Sequence, residues 1–388
     1  MTSWKRFRVF AKGFGLASKG ASRRNSRSRN GTVFAGSPPS SASGAWQPPA
    51  EVQAGRAHPV YRVGMTGTRP SAAVTAWLLE GDAAIRWQVM RDLLDEPDQV
   101  WQAERAKVET HGWGASLLAR QGEDGLWDGG VFVPAGFTRE LWQQEGQPWT
   151  GAAYALNDLR EWGLDPRAEA ARRVVRLVGE NGRWDEGDQP FWEGEVEECI
   201  NGRTLADGAY FGVDMAALAA RLVSERQPDG GWNCERANGS VRSSFDSTIN
   251  VLEGLLEFER ATGGTPESRA ARQAGEEFLL ERNLFRRKTT GEPADADYLL
   301  LGHPHRWVYS ILRALDHLRA GASLTGAPAD PRLTEALDHL RSRRMPDGRW
   351  PLDVRHGGRQ WFEVDEGPGM PSRWVTLSAL RVLRWAEA

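Results

Sequence analysis

Residues 226–234 read RQPDGGWNC: a Gly-Gly turn, then at once a tryptophan and a cysteine. The phrase recurs as QGEDGLW at 121–127, GENGRW at 179–184 and RMPDGRW at 344–350. Each copy follows a helix-like stretch rich in Arg and Glu. Each precedes, after a loop of variable length, a more apolar stretch. Glycine suits a chain reversal with positive φ. Aspartate can take backbone amides at the helix end it faces. The tryptophan is expected to cover the junction between one helix pair and the next.

Outward from these turns the chain is helical in pattern. Apolar residues recur at i, i+3, i+4 in 168–180, 214–227, 248–261, 306–321, 331–344 and 371–387, and period-2 alternation is nearly absent. The body is predicted all-α, built from helix pairs. The second helices of the pairs begin near Trp149, Cys199, Phe245, Trp307 and Trp374. The period is roughly 55 residues, in the range of helical-repeat arrays. One copy is degenerate: ERNLFRR at 281–287 has Leu-Phe where the turn and its tryptophan should stand.

The chain has 388 residues and a net charge of −3, unevenly split. Residues 1–64 hold eleven Lys/Arg and one acid, so +10, leaving −13 for the rest. An acidic body argues against nucleic acid as a partner. The first 64 residues are rich in Ser, Gly, Arg and Pro and are expected to be a disordered basic tail, or to precede the true start at Met65. Their first twenty could instead dock on an anionic membrane as an amphipathic helix. No apolar run is long enough to span a bilayer. Two cysteines make no disulfide framework and suggest a reducing, cytoplasmic setting, or thiols kept for chemistry. Eighteen tryptophans demand a repeated structural use or a large apolar surface to line.

Helix pairs joined by LLARQGEDGLW, LVSERQPDGGW and LRSRRMPDGRW resemble the QW-type repeats of the terpenoid cyclase and protein prenyltransferase superfamily, over about residues 75–388. Within it the chain looks most similar to short squalene-cyclase-like proteins of bacteria. The resemblance implies an α/α toroid of about five to six repeats over 65–388, with inner helices lining a central apolar cavity that handles isoprenoid chains. The family's reactive motifs are missing. There is no Asp-x-Asp-Asp for protonating an alkene, no Asp-Asp-x-x-Asp, and no Asp-x-Cys zinc pair. No catalytic residue is therefore carried over.

Chemistry is expected where turns and inner-helix starts gather on one rim. Cys199, Cys234, His303 and His305 lie at that position in successive repeats, with Asp246 as a further candidate. They form a soft set suited to zinc, with two unpaired packing thiols and surface histidines as the bland alternative. Arg306 and Arg373, with Arg242 and Arg349, would clamp an anionic head group, or simply pair with nearby acids. Trp149, Phe245, Trp307, Tyr309 and Trp374 would line an apolar cavity, or pack the interior. His317 and His339 read as solvated or interface histidines. The long loop 351–374 could fold over the cavity mouth, with Glu363, Asp365 and Glu366 as its acids. The leading expectation is a toroid binding an isoprenoid or other apolar ligand, a terpenoid-cyclase- or prenyltransferase-like enzyme if it is one. The alternative is a non-catalytic binding or scaffold protein that keeps the fold.

Overall fold

The computed structural model describes residues 70–388, so the basic tail 1–64 lies outside the described residues. The described chain is helical, with only isolated β-bridges between short segments. It opens with α1 (Ala72–Leu79), α2 (Ala83–Asp92), α3 (Asp98–Arg105) and α4 (Gly112–Leu118). Next come α5 (Arg139–Glu145), α6 (Ala152–Trp162), α7 (Glu169–Asn181), α8 (Glu198–Tyr210) and α9 (Ala216–Ser224). The last five are α10 (Phe245–Thr262), α11 (Pro266–Leu280), α12 (Ile311–Thr325), α13 (Thr334–Ser342) and α14 (Arg373–Ala386). None of the described helices is long and apolar enough to cross a membrane.

The repeated turn has a definite job. The indole N–H of Trp127 donates to the carbonyl of Leu117 at 2.8 Å, Trp232 to Leu222 at 2.7 Å and Trp350 to Leu340 at 2.8 Å. Each acceptor lies in the last turn or two of the preceding helix, where carbonyls run out of regular helical donors; those of Leu117 and Leu340 also accept the N–H three residues on, from Arg120 and Arg343. The indole thus plugs that helix end from ten residues downstream, and all three rings are fully buried. Trp184 is the exception: its N–H turns forward, to Phe191 O at 2.9 Å.

Glycine is needed for two reasons at once. Gly125, Gly230 and Gly348 have φ of +83°, +105° and +88°. Each also presses on a helix of another pair. A Cβ on Gly125 would lie 2.2 Å from Leu177 of α7, and one on Gly230 2.7 Å from the Ala274 carbonyl of α11. The last turn, at Gly348, meets Val74 of α1. The degenerate copy keeps the geometry without the tryptophan. Asn283 and Leu284 take positive φ there, and Arg286 bridges Pro293 as Arg183 bridges Pro190.

The apolar helices pack in series: α2 on α6, α6 on α8, α8 on α10, α10 on α12, α12 on α14, and α14 back on α2. Ser244, Ser310 and Ser372 cap the last three by accepting a backbone N–H three residues on. The closest approach is α8 to α10. Gly202 and Gly254 let the two backbones touch, since a Cβ on Gly254 would stand 2.3 Å from the Gly202 carbonyl oxygen.

Candidate functional site

The start of α8 and the turn before α10 meet at a partly open cavity. Glu197 is the N-cap residue of α8 and Cys199 stands in its first turn. Cys234 lies two residues past the indole plug of Trp232, and its N–H donates to Ser247 Oγ at 3.0 Å, pinning it over the start of α10. The Cys199 thiol approaches Glu197 Oε2 at 3.6 Å. The loop before α8 is held stiffly. Asn201 accepts the Glu195 N–H and donates to its carbonyl, while the buried Glu195 carboxylate accepts the Glu197 N–H at 2.6 Å.

From that end the cavity runs between aromatic walls, Phe132, Tyr154, Trp184, Phe191 and Trp307. Its other end is polar, with Asn157, Arg203 and Asp207. Asn157 bridges these two, accepting from Arg203 and donating to Asp207. Arg160 adds a 2.8 Å ion pair to Asp207. Burial pushes the Asp207 carboxyl up to about 6, against the pull of Arg160 and Arg203. The cavity offers about 70 Å³ to water-sized occupants. That suits a compact ligand or a few waters, well short of the ~300 Å³ at which drug-sized sites begin.

The expected site residues are dispersed. Cys199, Cys234, Asp246 and Trp307 line this cavity. Asp246 is engaged there: Oδ1 accepts the Tyr309 N–H at 2.8 Å and Oδ2 the Tyr298 hydroxyl at 3.4 Å. His303 stacks on Trp374 at 4.6 Å, and His305 is 5.9 Å from His303. Burial holds the imidazoles of His305 and His356 down to about 4, so both are neutral at pH 7. His303 Nε2 and Trp374 Nε1 are buried without a partner among the described residues, a place for an ordered water.

Nor do the arginines form a clamp. Arg306 is buried against Asp158 at 3.1 Å and lies over the Trp149 ring. Arg373 and Arg349 both stack on Trp77 of α1, at 4.7 and 4.3 Å, fastening the first helix to the last repeat. Phe245 packs with Phe278, Tyr298 and Tyr309, whose hydroxyl donates to Leu284 O. Trp149 is tied to the loop after α13: its indole N–H donates to Gly357 O and its backbone N–H to Arg359 O, both at 2.7 Å. That loop folds over residues 147–150, and Trp361 donates to Thr150 O at 3.2 Å. Asp365 caps α14 through Arg373 N–H and Ser372 Oγ. His317 is buried, not solvated, with Nε2 2.9 Å from Glu276.

The largest surprise is charge among the serially packed helices. Arg313 of α12 forks onto Glu253 of α10 at 2.6 and 2.7 Å and also reaches Asn250. Arg203 of α8 reaches Glu161 of α6 at 3.4 Å. Arg381 of α14 joins Asp316 of α12 at 2.7 Å and Asp92 of α2 at 3.4 Å. Burial alone would raise Glu253, but Arg313 holds it well below the usual carboxylate range. Glu161 and Glu253 nonetheless keep 22% and 23% of their side chains accessible, so solvent reaches this interior. The sequence carried the signal, in Arg and acid residues set within NDLREW, NGRTLAD and NVLEGL.

No protein-family description and no curated protein matches the chain. Among solved structures it is similar to a protein from Actinoplanes, at 16% identity and a TM-score of 0.38, over 79% of this chain and 91% of that one. A likeness at that level carries no argument about function.

Proposed function

We propose that the chain is an α/α toroid whose working site is the cavity beside α6, α8 and α10, where it binds a compact small molecule with an apolar body and a polar head. The ring reading rests on two features: α14 returns to α2, and the last Trp-turn presses on α1 as earlier turns press on later helices. The binding reading rests on one observation. Side chains from three of these helices and five loops converge on an aromatic-walled space with ionisable groups at both ends. Protein interiors fill such space unless it is used. Two cysteines not joined in a disulfide suit a reducing, cytoplasmic setting.

The aromatic walls favour an apolar body for the ligand. The space of about 70 Å³ favours a short one, not a long isoprenoid chain. The ion-paired interior supports a second reading, that the ring serves as a scaffold. Buried charges that already satisfy one another need no ligand.

Fragment screening by ligand-observed NMR tests the first reading. Ala153 lines the cavity, and Ala153→Phe would fill it. Fragments are expected to bind the wild type and to be displaced by the filled variant. Equal binding to a folded Ala153→Phe chain, or no fragment bound by the wild type, would leave the scaffold reading standing.

A further inference from the structure

We infer that Glu197, Cys199 and Cys234 form a zinc site whose fourth position opens into the cavity. The three offer one carboxylate oxygen and two sulfurs, all within 4.8 Å of one another. The cap and first turn of α8 supply two of them, and the turn after Trp232 supplies the third. The fold, not a local loop, brings them together. Two sulfurs and an oxygen are a donor set that zinc accepts and that magnesium and calcium do not favour.

The spacing fits tetrahedral coordination. With Zn–S of about 2.3 Å and Zn–O of about 2.1 Å, a tetrahedral edge is about 3.6 Å between sulfur and oxygen and about 3.8 Å between two sulfurs. Cys199 Sγ and Glu197 Oε2 are 3.6 Å apart. The 4.8 Å bound leaves Cys234 at most about 1 Å to close. Both ligand-bearing segments are braced from behind, Glu197 through Glu195 and Cys234 through Ser247. Such outer contacts orient ligands at metal sites. Asp246, held by Tyr309 and Tyr298, lines the same cavity. Binding one Zn²⁺ displaces the two thiol protons to solvent and leaves two thiolates and one carboxylate on the metal. With three protein ligands the fourth place is left for water, or for a ligand bearing a thiolate, carboxylate or carbonyl oxygen.

This deepens the cavity reading above, yet its test needs no small molecule, so either can fail alone. The reduced full-length chain, checked for two titratable thiols, is loaded with Zn²⁺ and, separately, with Co²⁺. One zinc per chain and a thiolate-to-cobalt charge-transfer band are expected. Cys199→Ser and Cys234→Ser should each weaken Co²⁺ binding by more than the roughly 10–100-fold that loss of an outer partner costs. Glu197→Gln should weaken it while keeping the band. No metal on the folded, reduced wild type would overturn the site, as would unchanged affinity in either serine variant. Should the serine variants fail to fold, unchanged affinity in Glu197→Gln would remove the carboxylate from the site, and with it the three-ligand assignment.

Discussion

Replacing Trp350 with phenylalanine isolates the indole plug. The ring is fully buried, and its N–H donates to the Leu340 carbonyl at 2.8 Å near the end of α13. Phenylalanine keeps an aromatic ring but abandons that carbonyl. That carbonyl keeps the Arg343 N–H at 3.3 Å, so losing the indole donor costs the net ~0.5–1.5 kcal/mol of one hydrogen bond. The smaller ring also leaves a void of roughly 40 Å³, worth about 1 kcal/mol at ~24 cal/mol per Å³. The sum is about 1.5–2.5 kcal/mol, a fall in Tm on the order of 2–4 °C for a domain of this size. The control is Trp101→Phe. Trp101 is only half-buried, and its N–H reaches an exposed Asp98 carboxylate at 3.2 Å. That change should cost under about 1 kcal/mol. Urea unfolding of both variants against wild type gives the comparison. Trp127→Phe and Trp232→Phe should behave like Trp350→Phe. If Trp350→Phe matches Trp101→Phe, the tryptophan is packing and not a plug, and the account of the repeat fails.

Three further outcomes are expected. Arg313→Met strands Glu253 and should cost ~3–5 kcal/mol, nearer the lower figure because Glu253 keeps solvent access. The double variant Arg313→Met/Glu253→Met should recover much of that loss in urea unfolding. Gly254→Ala forces a methyl against the Gly202 carbonyl and should cost ~1–3 kcal/mol, whereas Gly357→Ala, where a Cβ meets nothing, should be near neutral by thermal melt. Imidazoles held down to about 4 when folded and near 6.5 when unfolded give stability that is full above pH 6.5 and lost as pH falls toward 4. His356→Gln should flatten that acid limb of the urea midpoint. Asp365, pushed up to about 6 by burial, acts in the opposite sense between pH 4 and 6, so Asp365→Asn should steepen it.

Much of the helical fold was legible because the turn writes itself into the sequence. Positive φ, close approach and a plugged helix end each select a residue, giving Asp-Gly-x-Trp at 124–127, and the same constraints repeat. The degenerate copy was visible for the same reason, as a turn that keeps its backbone and lacks its indole. Helix starts were less legible. Trp149 and Trp307 sit in loops ahead of α6 and α12, because contacts distant in sequence, such as Trp149 with Gly357, set where the chain enters the helix.

The site was legible in part. Cys199 opens one apolar helix and Cys234 follows the next Trp-turn, and the fold brings them together. Glu197 escaped notice because acids crowd that stretch, EVEEC, and only three-dimensional proximity singles one out. The charged interior was missed because a helix rich in Leu, Ala and Val is read as apolar all round. Arg313 and Glu253 lie 60 residues apart, and neither announces the other. Arg306, Arg349 and Arg373 were expected at a ligand, yet each is engaged by the fold itself, through Asp158 or the ring of Trp77.

Crystals soaked with the fragments that bind in solution give the most direct test of where this protein works. The account predicts density in the cavity between Cys199 and Arg203, against Trp307. Density instead beside Glu161 and Glu253, with that cavity holding only water, would contradict it.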